Sequence, residues 1–303
     1  QKGHLAGLLS CVSAAGKMAF LAGIWTYFFP PRRQEQPPAT RREFQDLVHS
    51  NCRFDGETGQ RLRRQLAEFK PLGGEHPIIV SAGFFGVGKS YLLNAIATSA
   101  RGRPVKLADA RASHEHVTTR ATRYNSKSTG LPATVVDIPG TEDSSEYKKY
   151  VRTIKAVVLG QVRDGERIDI ISDAALRAIE ARPHGNKAHT VIFHVPVKDP
   201  DARYAKAVAA LVAALDGIAS VMVALTKCDK CIERHEDVKF VMCSDEVVRR
   251  RKELARHAGI NITDIFPTVS YAERNYPDTA IEEICLKVAH KALSHAEPNL
   301  RNR

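Results

Sequence analysis

Cysteine is scarce in this sequence. Six cysteines are spread over 303 residues, which is not the dense pattern of a disulfide framework, so we expect a reducing compartment. The chain has one Cys-x-x-Cys pair, Cys228 and Cys231. The nearby His235 and Cys243 do not continue it with the spacing of metal ligands, so the pattern does not favour zinc.

Several other functional signatures are missing. The sequence shows no internal repeat, and neither paired catalytic carboxylates nor a Ser–His–Asp arrangement can be argued from it. The net charge of +11 fits nucleic acid, anionic lipid or a phosphorylated ligand, and charge alone does not choose among them. Because no aromatic-rich basic motif of the RNA-binding kind accompanies this charge, nucleic acid is not favoured as a partner.

Long apolar runs are limited to residues 5–29. A membrane span needs about 20 residues, so the length suffices. However, Lys17 near its middle would cost roughly 2.5–3.5 kcal/mol there. Three interpretations stay open: a membrane anchor or surface-binding segment, an amphipathic helix packed on the globular part, and a signal-like segment. Because arginines follow the segment, an anchor would leave the rest of the chain in the cytosol, and the predicted location is cytoplasmic with membrane association through 5–29.

The chain divides into three predicted regions. Residues 1–30 form the hydrophobic segment, residues 31–43 a linker rich in proline and arginine, and residues 44–303 the main domain. This domain begins with a predicted leading helix, Phe44 to Lys70, in which Leu62, Leu66 and Phe69 are spaced for one face.

From residue 78 onward, short apolar runs alternate with longer helical patterns, which predicts an α/β fold with a mainly parallel sheet and helices on both faces. The runs are apolar throughout, as in strands that are buried on both sides. The predicted strands are Ile78–Val80, Ala133–Ile138, Val191–Val195, Val221–Leu225 and Ile265–Val269. The predicted helices include Tyr91–Ala100, Ala202–Leu215 and Asp245–Ala258.

A glycine-rich motif directly follows the first predicted strand and precedes a helical pattern. It matches G-x-x-x-x-G-K-[ST] over residues 83–90, the pattern of a phosphate-binding loop, and is called the phosphate loop from here on. A position between a strand and a helix is the context that this motif requires. Its backbone N–H groups and the helix N-terminus are suited to hold phosphates. Lys89 is expected to reach the β- and γ-phosphates and Ser90 to bind Mg²⁺. The predicted nucleotide-binding residues here are Gly83, Phe84, Phe85, Gly86, Val87, Gly88, Lys89, Ser90 and Tyr91.

A second motif, Asp137-Ile138-Pro139-Gly140, ends the next apolar strand. Ligands of open α/β sheets bind at the carboxyl ends of the strands, where the phosphate loop also lies. We therefore expect Asp137 to hold Mg²⁺ through water and the Gly140 amide to sense the γ-phosphate. By itself, D-x-x-G is a common turn. It becomes informative here because it follows a phosphate loop and ends a buried strand.

A third motif, Thr226-Lys227-Cys228-Asp229, ends a further strand and fits [NT]-K-x-D. Asp229 is predicted to accept hydrogen bonds from guanine N1 and the exocyclic amine, for which adenine offers no matching donors, and Lys227 to lie along the base. Ser270, after the last predicted strand, stands where a base-supporting loop belongs. The three motifs together predict that the ligand is GTP or GDP with Mg²⁺.

The residues for hydrolysis are less sharply defined. Thr118 and Thr119 are candidates for a switch threonine that closes on Mg²⁺ and the γ-phosphate, and Thr119 is preferred. The predicted metal ligands are then Ser90, Thr119 and Asp137, and the predicted catalytic residues are Lys89 and Thr119.

Thr141 stands where Ras-type GTPases place a water-orienting glutamine. With the bulky Phe84 and Phe85, this indicates slow intrinsic hydrolysis, or a catalytic group supplied by a partner or a second copy of the chain. The alternative interpretation is that the two phenylalanines pack against a neighbouring loop.

The motifs resemble those of the interferon-induced protein 44-like GTPases over about residues 77–293. The resemblance rests on the phosphate loop, the stretch LTKCD, and residues 154–165 and 259–276. The asparagine of that family's valine-x-asparagine-tyrosine stretch is absent here, where Val269-Ser270-Tyr271 stands. The stretch that ends at Gly140 is also similar to the immunity-related and dynamin-like GTPases. The resemblance implies a Ras-like P-loop three-layer fold, GTP with Mg²⁺, and a role in innate defence.

Residues 142–187 exceed what a minimal GTPase core needs, which predicts an insertion that faces a protein partner or a second copy of the chain. The leading hypothesis is a slow GTPase switch. The alternatives are a nucleotide-dependent scaffold that binds GTP or GDP with negligible hydrolysis, and an ATPase of the same fold.

Overall fold

The computed structural model describes residues 56–71, 75–108, 118–141, 146–169, 171–198, 202–231, 238–269 and 278–301. The hydrophobic segment 5–29, the linker 31–43, the first part of the leading helix and Ser270 lie outside the described residues. The predictions for them therefore stay predictions. Within the described ranges, no helix combines the length and the apolar character that crossing a bilayer requires.

The described part of the chain contains a six-stranded sheet in the order β2-β3-β1-β4-β5-β6. All neighbouring strands pair in parallel except β2, which is antiparallel to β3. In the centre, β1 is buried along its whole length, as expected for a parallel strand with helices on both sides. The strands are β1 (Ile78–Gly83), β2 (Thr122–Tyr124), β3 (Thr134–Asp137), β4 (Thr190–Pro196), β5 (Ser220–Thr226) and β6 (Ile265–Pro267).

Helices cover both faces of the sheet. In chain order they are α1 (Glu57–Glu68), α2 (Lys89–Arg101), α3 (Ser126–Thr129), α4 (Tyr147–Val158), α5 (Asp173–Glu180), α6 (Ala202–Leu215), α7 (Asp245–Ala258) and α8 (Thr279–Arg301). Helices α1, α2 and α8 pack together over one face, and α4, α6 and α7 over the other. The predicted Ras-like three-layer α/β fold is confirmed.

The leading helix is present as α1, which lies within the predicted range. Leu62 and Leu66 are buried, in agreement with the predicted apolar face. The buried Glu283 of α8 accepts a hydrogen bond of 2.8 Å from the Gly56 N–H, and Arg63 forms an ion pair with Glu282. These contacts attach α1 to α8, because a carboxylate at a helix N-terminus satisfies an otherwise unpaired donor.

The prediction of an insertion over residues 142–187 is wrong for its first part. Helix α4 lies in the core, where Val151, Ile154 and Val157 are buried, and it packs against α6 and β1. It is the crossover helix that a parallel connection from β3 to β4 requires. The excess therefore begins after α4, and it contains α5, which Arg152 attaches to α4 through an ion pair with Glu180 at 2.6 Å.

Strand β2 was not among the predicted strands. With three residues, each half-buried, it is too short to show an alternating pattern. The chain just before it pairs with residues 163–168: the Ala121 N–H donates to the Glu166 carbonyl at 2.9 Å, and the Gly165 N–H donates to the Ala121 carbonyl at 2.7 Å. Residues 119–123 and 163–168 together are called the edge ribbon below. Part of the predicted insertion thus has a partner within the same chain.

Candidate functional site

The phosphate-loop motif connects the carboxyl end of β1 to the first turn of α2. Gly83 is required at the start of this loop, because a Cβ there would lie 2.8 Å from the His194 carbonyl oxygen, at a φ of 153°. Helix α2 begins at Lys89 directly after Gly88, so the N-terminus of the helix faces the loop. Ser90 and Tyr91, half-buried, lie in this first turn, which is the position that a phosphate and its metal ion need.

Lys89 is buried and points back along its own loop. Its Nζ donates to the Phe84 carbonyl at 3.1 Å. Burial lowers the pKa of Lys89 to about 8, and the negative charge of Asp137 opposes that shift. The amine thus lies at the turn where the motif would hold phosphates.

Asp137 is buried at the end of β3, and among the described residues neither of its carboxylate oxygens accepts a hydrogen bond. Burial raises the pKa of Asp137 to about 6, and the charge of Lys89 opposes the rise. The Ser81 hydroxyl is near enough to oppose it as well, although it does not donate to the carboxylate in good geometry. The Asp137 carboxylate, buried and with two unsatisfied oxygens, and the Ser90 hydroxyl in the first turn of α2 are oxygen ligands of the kind that Mg²⁺ prefers.

The Asp137 motif lies directly against the phosphate loop. A Cβ on Gly140 would be 2.6 Å from the backbone of Phe84 and Phe85 and 2.8 Å from the Nζ of Lys89, so no larger residue fits. The Phe85 N–H donates to the Thr141 carbonyl at 3.0 Å. In this structure, an amide of the phosphate loop is therefore held by the residue after Gly140.

Tyr150 of α4 bonds both of these loops through one buried hydroxyl. The hydroxyl accepts from the Gly83 N–H at 3.0 Å, and it lies 2.9 Å from the Gly83 carbonyl and 3.0 Å from the Pro139 carbonyl. Burial raises the pKa of the phenol, which stays protonated and can donate. No sequence motif marks Tyr150, which stands within an ordinary amphipathic helical pattern.

Phe84 does not face the nucleotide side of the loop. It is buried, and its ring centroid lies 5.0 Å from that of Tyr204, 5.9 Å from that of Phe193 and 6.0 Å from that of Tyr150. Phe84 therefore packs, as the alternative interpretation expected, but against helices α4 and α6 and strand β4 rather than against a neighbouring loop. Phe85 is half-buried and contributes its amide to the bond with Thr141.

The third motif, Thr226-Lys227-Cys228-Asp229, is called the base-reading motif after its predicted role. Two of its side chains attach it to the phosphate loop. The Thr226 hydroxyl lies 2.5 Å from the Val87 carbonyl, and the Lys227 Nζ donates to the Gly86 carbonyl at 2.6 Å. Lys227 has a φ of 58°, a strained conformation for a residue with a side chain. Asp229 follows in the 3₁₀ turn Cys228–Cys231 and is half-exposed, so its carboxylate is accessible to a ligand.

Cys228 is a packing residue. It is buried, its thiol lies 3.0 Å from the Leu225 carbonyl, and burial raises its pKa. Within the residues that the structure describes, no three His, Cys, Asp or Glu side chains are grouped as metal ligands.

Thr119 belongs to the edge ribbon, where its carbonyl accepts from the Ile168 N–H at 3.2 Å. Both Thr118 and Thr119 are half-exposed. The structure thus brings together the residues of the three motifs at one sheet edge. It places the candidate switch threonine on the edge ribbon, which continues into β2, the strand that pairs with β3. No contact of Thr119 with Lys89 or Asp137 is present among the described residues.

One family model matches the part of the chain that contains this site. Residues 78–194 match the model described as 50S ribosome-binding GTPase, which covers well under half of the chain and runs from β1 to His194 in β4. With the Ras-like sheet order and the three motifs at one edge, this match defines a GTPase-type, GTP-binding domain. It does not distinguish the interferon-induced protein 44-like family from other GTPases.

Three solved structures of GTP-binding proteins are similar at low scores. A probable GTP-binding protein engB has 12% identity and a TM-score of 0.37, covering 75% of this chain and 99% of that one. The small COPII coat GTPase SAR1 from Encephalitozoon cuniculi has 13% identity and a TM-score of 0.34, covering 84% and 96%. The cytosolic domain of the T. maritima FeoB iron transporter has 15% identity and a TM-score of 0.35, covering 73% and 64%. No curated protein matches the chain.

Proposed function

We propose that this protein is a guanine-nucleotide switch that binds GTP with Mg²⁺ and hydrolyses it slowly. The observation that carries the proposal is the attachment of the base-reading motif to the phosphate loop, through Thr226 and Lys227. These contacts fix the position of Asp229 relative to the loop. A nucleotide held at its phosphates by one motif can then be identified at its base by the other.

In this proposal the loop amides and Lys89 bind the phosphates. Lys89 leaves the Phe84 carbonyl when a phosphate arrives, because a charged oxygen is a stronger acceptor than a carbonyl. The Asp137 carboxylate and the Ser90 hydroxyl would hold Mg²⁺, and Thr119 would join them if the edge ribbon closes on the nucleotide. The metal ion supplies charge neutralisation at the β- and γ-phosphates.

Asp229 selects guanine. Its carboxylate can accept from two adjacent donors on guanine, whereas adenine would leave it facing an acceptor. Lys227, already fixed by its bond to Gly86, lies along the base, and Ser270 is proposed to support the base from the following loop. An ATPase of the same fold is the alternative, and it requires that Asp229 play no part in recognition.

A second candidate is a scaffold that binds GTP or GDP and hydrolyses almost nothing. One observation favours the scaffold: the Phe85 N–H donates to the Thr141 carbonyl. Thr141 stands at the position of the residue that orients the attacking water in Ras-type GTPases, but here its carbonyl engages an amide of the phosphate loop. A multiple-turnover rate equal to that of Lys89→Ala, despite tight nucleotide binding, would select the scaffold.

The experiment that tests the function is fluorescent-nucleotide binding to the full chain, with GTP, GDP and ATP analogues and Mg²⁺. We expect the wild-type chain to bind guanine nucleotides selectively. Lys89→Ala should lose binding, and Asp229→Asn should lose the preference for guanine over adenine. Lys230→Ala and Asp216→Asn are matched controls, since both residues are exposed and lie outside the proposed contacts. Equal binding of ATP, or binding that survives both site changes, would contradict the proposal.

The resemblance to the interferon-induced protein 44-like GTPases supports a finer proposal, a role in innate defence. We also propose that the protein works in the cytosol, that residues 5–29 contact a membrane, and that the surface of residues 159–187 binds a protein partner or a second copy of the chain. Co-sedimentation with anionic vesicles, compared between the full chain and a deletion of 5–29, tests the membrane contact. Light scattering with each nucleotide tests self-association, and a monomer in every state would contradict it.

A further inference from the structure

We propose that Tyr150 is a positioning residue that lets the site distinguish GTP from GDP, by fixing the peptide between Pro139 and Gly140. This inference rests on the proposed function, in which the Gly140 amide senses the γ-phosphate.

The hydroxyl of Tyr150 has more neighbours than it can satisfy at once. It carries one proton and accepts from the Gly83 N–H, so it donates to either the Gly83 carbonyl or the Pro139 carbonyl. The two acceptors are nearly equidistant, at 2.9 Å and 3.0 Å. One proton therefore has two alternative acceptors, one on each loop of the site.

The Pro139 carbonyl matters because it shares a peptide plane with the Gly140 N–H. In a trans peptide these two groups point in opposite directions. A hydroxyl that holds the carbonyl towards α4 therefore turns the N–H away from α4. Gly140 itself lies against Phe84, Phe85 and Lys89, so the amide is at the phosphate loop, where a γ-phosphate would meet it.

The geometry also keeps Tyr150 in place. Its side chain is buried, and its ring lies 6.0 Å from that of Phe84, on the phosphate loop itself. Tyr150 thus contacts the beginning of the phosphate loop through Gly83 and Phe84, and the Asp137 motif through Pro139. When GTP is bound, donation to Pro139 presents the Gly140 N–H to the γ-phosphate. When GDP is bound, that N–H has no phosphate partner, and the proton is equally well placed on Gly83.

The test is Tyr150→Phe in the full chain, which keeps the ring and removes only the hydroxyl. We expect the affinity for a non-hydrolysable GTP analogue to fall about five- to tenfold, as for the loss of one hydrogen bond, and the affinity for GDP to change less than about twofold. Tyr147→Phe, on the same helix and half-buried, is the matched control and should change neither affinity.

A merely structural role predicts a different result, namely an equal loss for both nucleotides, and that outcome would overturn the inference. Wild-type affinities for both the GTP analogue and GDP in Tyr150→Phe would overturn the inference too, while leaving the proposed function intact. If the wild-type chain binds no guanine nucleotide, the proposed function fails first.

If Tyr150→Phe does not fold, a fluorinated tyrosine at position 150 provides the second test. It keeps the shape and makes the hydroxyl a stronger donor. Hydrogen bonds in a chain polarise one another, so the Pro139 carbonyl is a better acceptor when the Gly140 N–H binds a phosphate. The stronger donor then gains more with GTP bound, and the preference for the GTP analogue over GDP should increase. A preference that stays the same or decreases would contradict the proposal.

Discussion

Lys89 and Asp137 oppose the effect of burial on each other's ionisation. Burial lowers the pKa of Lys89 to about 8 and raises the pKa of Asp137 to about 6, and each residue's charge counteracts the other's shift. In both cases burial is the larger influence. At neutral pH the site thus holds an ammonium and a carboxylate that have lost most of their hydration, which are the groups that a phosphate and a divalent cation need.

Nucleotide affinity should depend on pH through Asp137. A metal ion binds the deprotonated carboxylate, and because the pKa of Asp137 is raised to about 6, the proton competes with Mg²⁺ below that value. We expect Mg²⁺-dependent affinity for GDP to be highest near pH 7 and to fall about tenfold for each unit below the pKa of Asp137. Towards pH 8 the affinity should also weaken, with or without Mg²⁺, because Lys89 begins to lose its proton.

The measurement is a titration with fluorescent GDP from pH 5 to 8, with Mg²⁺ and with a chelator. The chelator and Asp137→Asn should each abolish the decline that is specific to Mg²⁺. The same decline in Asp137→Asn would show that another group causes it.

The contact between Gly140 and the phosphate loop predicts that even a methyl group is excluded. Gly140→Ala would place its Cβ 2.6 Å from the backbone of Phe84 and Phe85, so the loop that contains it must move. We expect the free energy of unfolding to fall by about 1–3 kcal/mol, as for overpacking, and the GTP analogue to lose more affinity than GDP, because the amide near the γ-phosphate is displaced.

Gly217→Ala is the control for Gly140→Ala. Its φ of 67° imposes strain, but its added Cβ would meet nothing within 4 Å. It should therefore lower the stability without changing either affinity. Thermal unfolding measures the stability of both variants, and nucleotide titration measures their affinities. A wild-type ratio of GTP-analogue to GDP affinity in Gly140→Ala would contradict the prediction.

The sequence predicted the α/β fold because its strands are continuous apolar runs, and it predicted the site because three motifs end such runs. Helices α6 and α7 have the predicted bounds, and both begin near polar residues and end near glycine. The contacts of Tyr150 could not be predicted, since its hydroxyl joins two separate loops, and one of them, at Gly83, is 67 residues away in the chain. Strand β2 has only three residues, too few to show an alternating pattern. The two segments of the edge ribbon are also short, and they pair across more than 40 residues of the chain.

The link between the base-reading motif and the phosphate loop is testable at Thr226. Thr226→Val keeps the shape of the side chain and removes the hydroxyl that lies 2.5 Å from the Val87 carbonyl. Because the bond orders both loops, GDP and GTP analogues should lose affinity equally, by about two- to tenfold. Thr190→Val is the matched control: it loses a similar buried bond, to the Ala292 carbonyl at 3.1 Å, at the opposite end of the sheet. An equal loss of affinity in both variants would mean that general destabilisation is the cause.

The edge ribbon should limit the movement of Thr119, and Arg182 should control the ribbon. Arg182 donates to the Glu166 carboxylate at 2.8 Å and to the Gln161 carbonyl at 3.1 Å, so it holds the strand of the ribbon that pairs with Ala121. In Arg182→Ala we expect the Ala121 and Gly165 amides to exchange hydrogen about tenfold faster, because local opening becomes easier by the value of a charged hydrogen bond. Arg177→Ala is the control: Arg177 is exposed on α5, and its replacement should leave the exchange of these amides unchanged.

If the edge ribbon closes on GTP, the GTP analogue should slow hydrogen exchange at the Ala121 and Gly165 amides in the wild type and slow it less in Arg182→Ala. Equal protection in the two proteins would show that the ribbon does not respond to the nucleotide through Arg182.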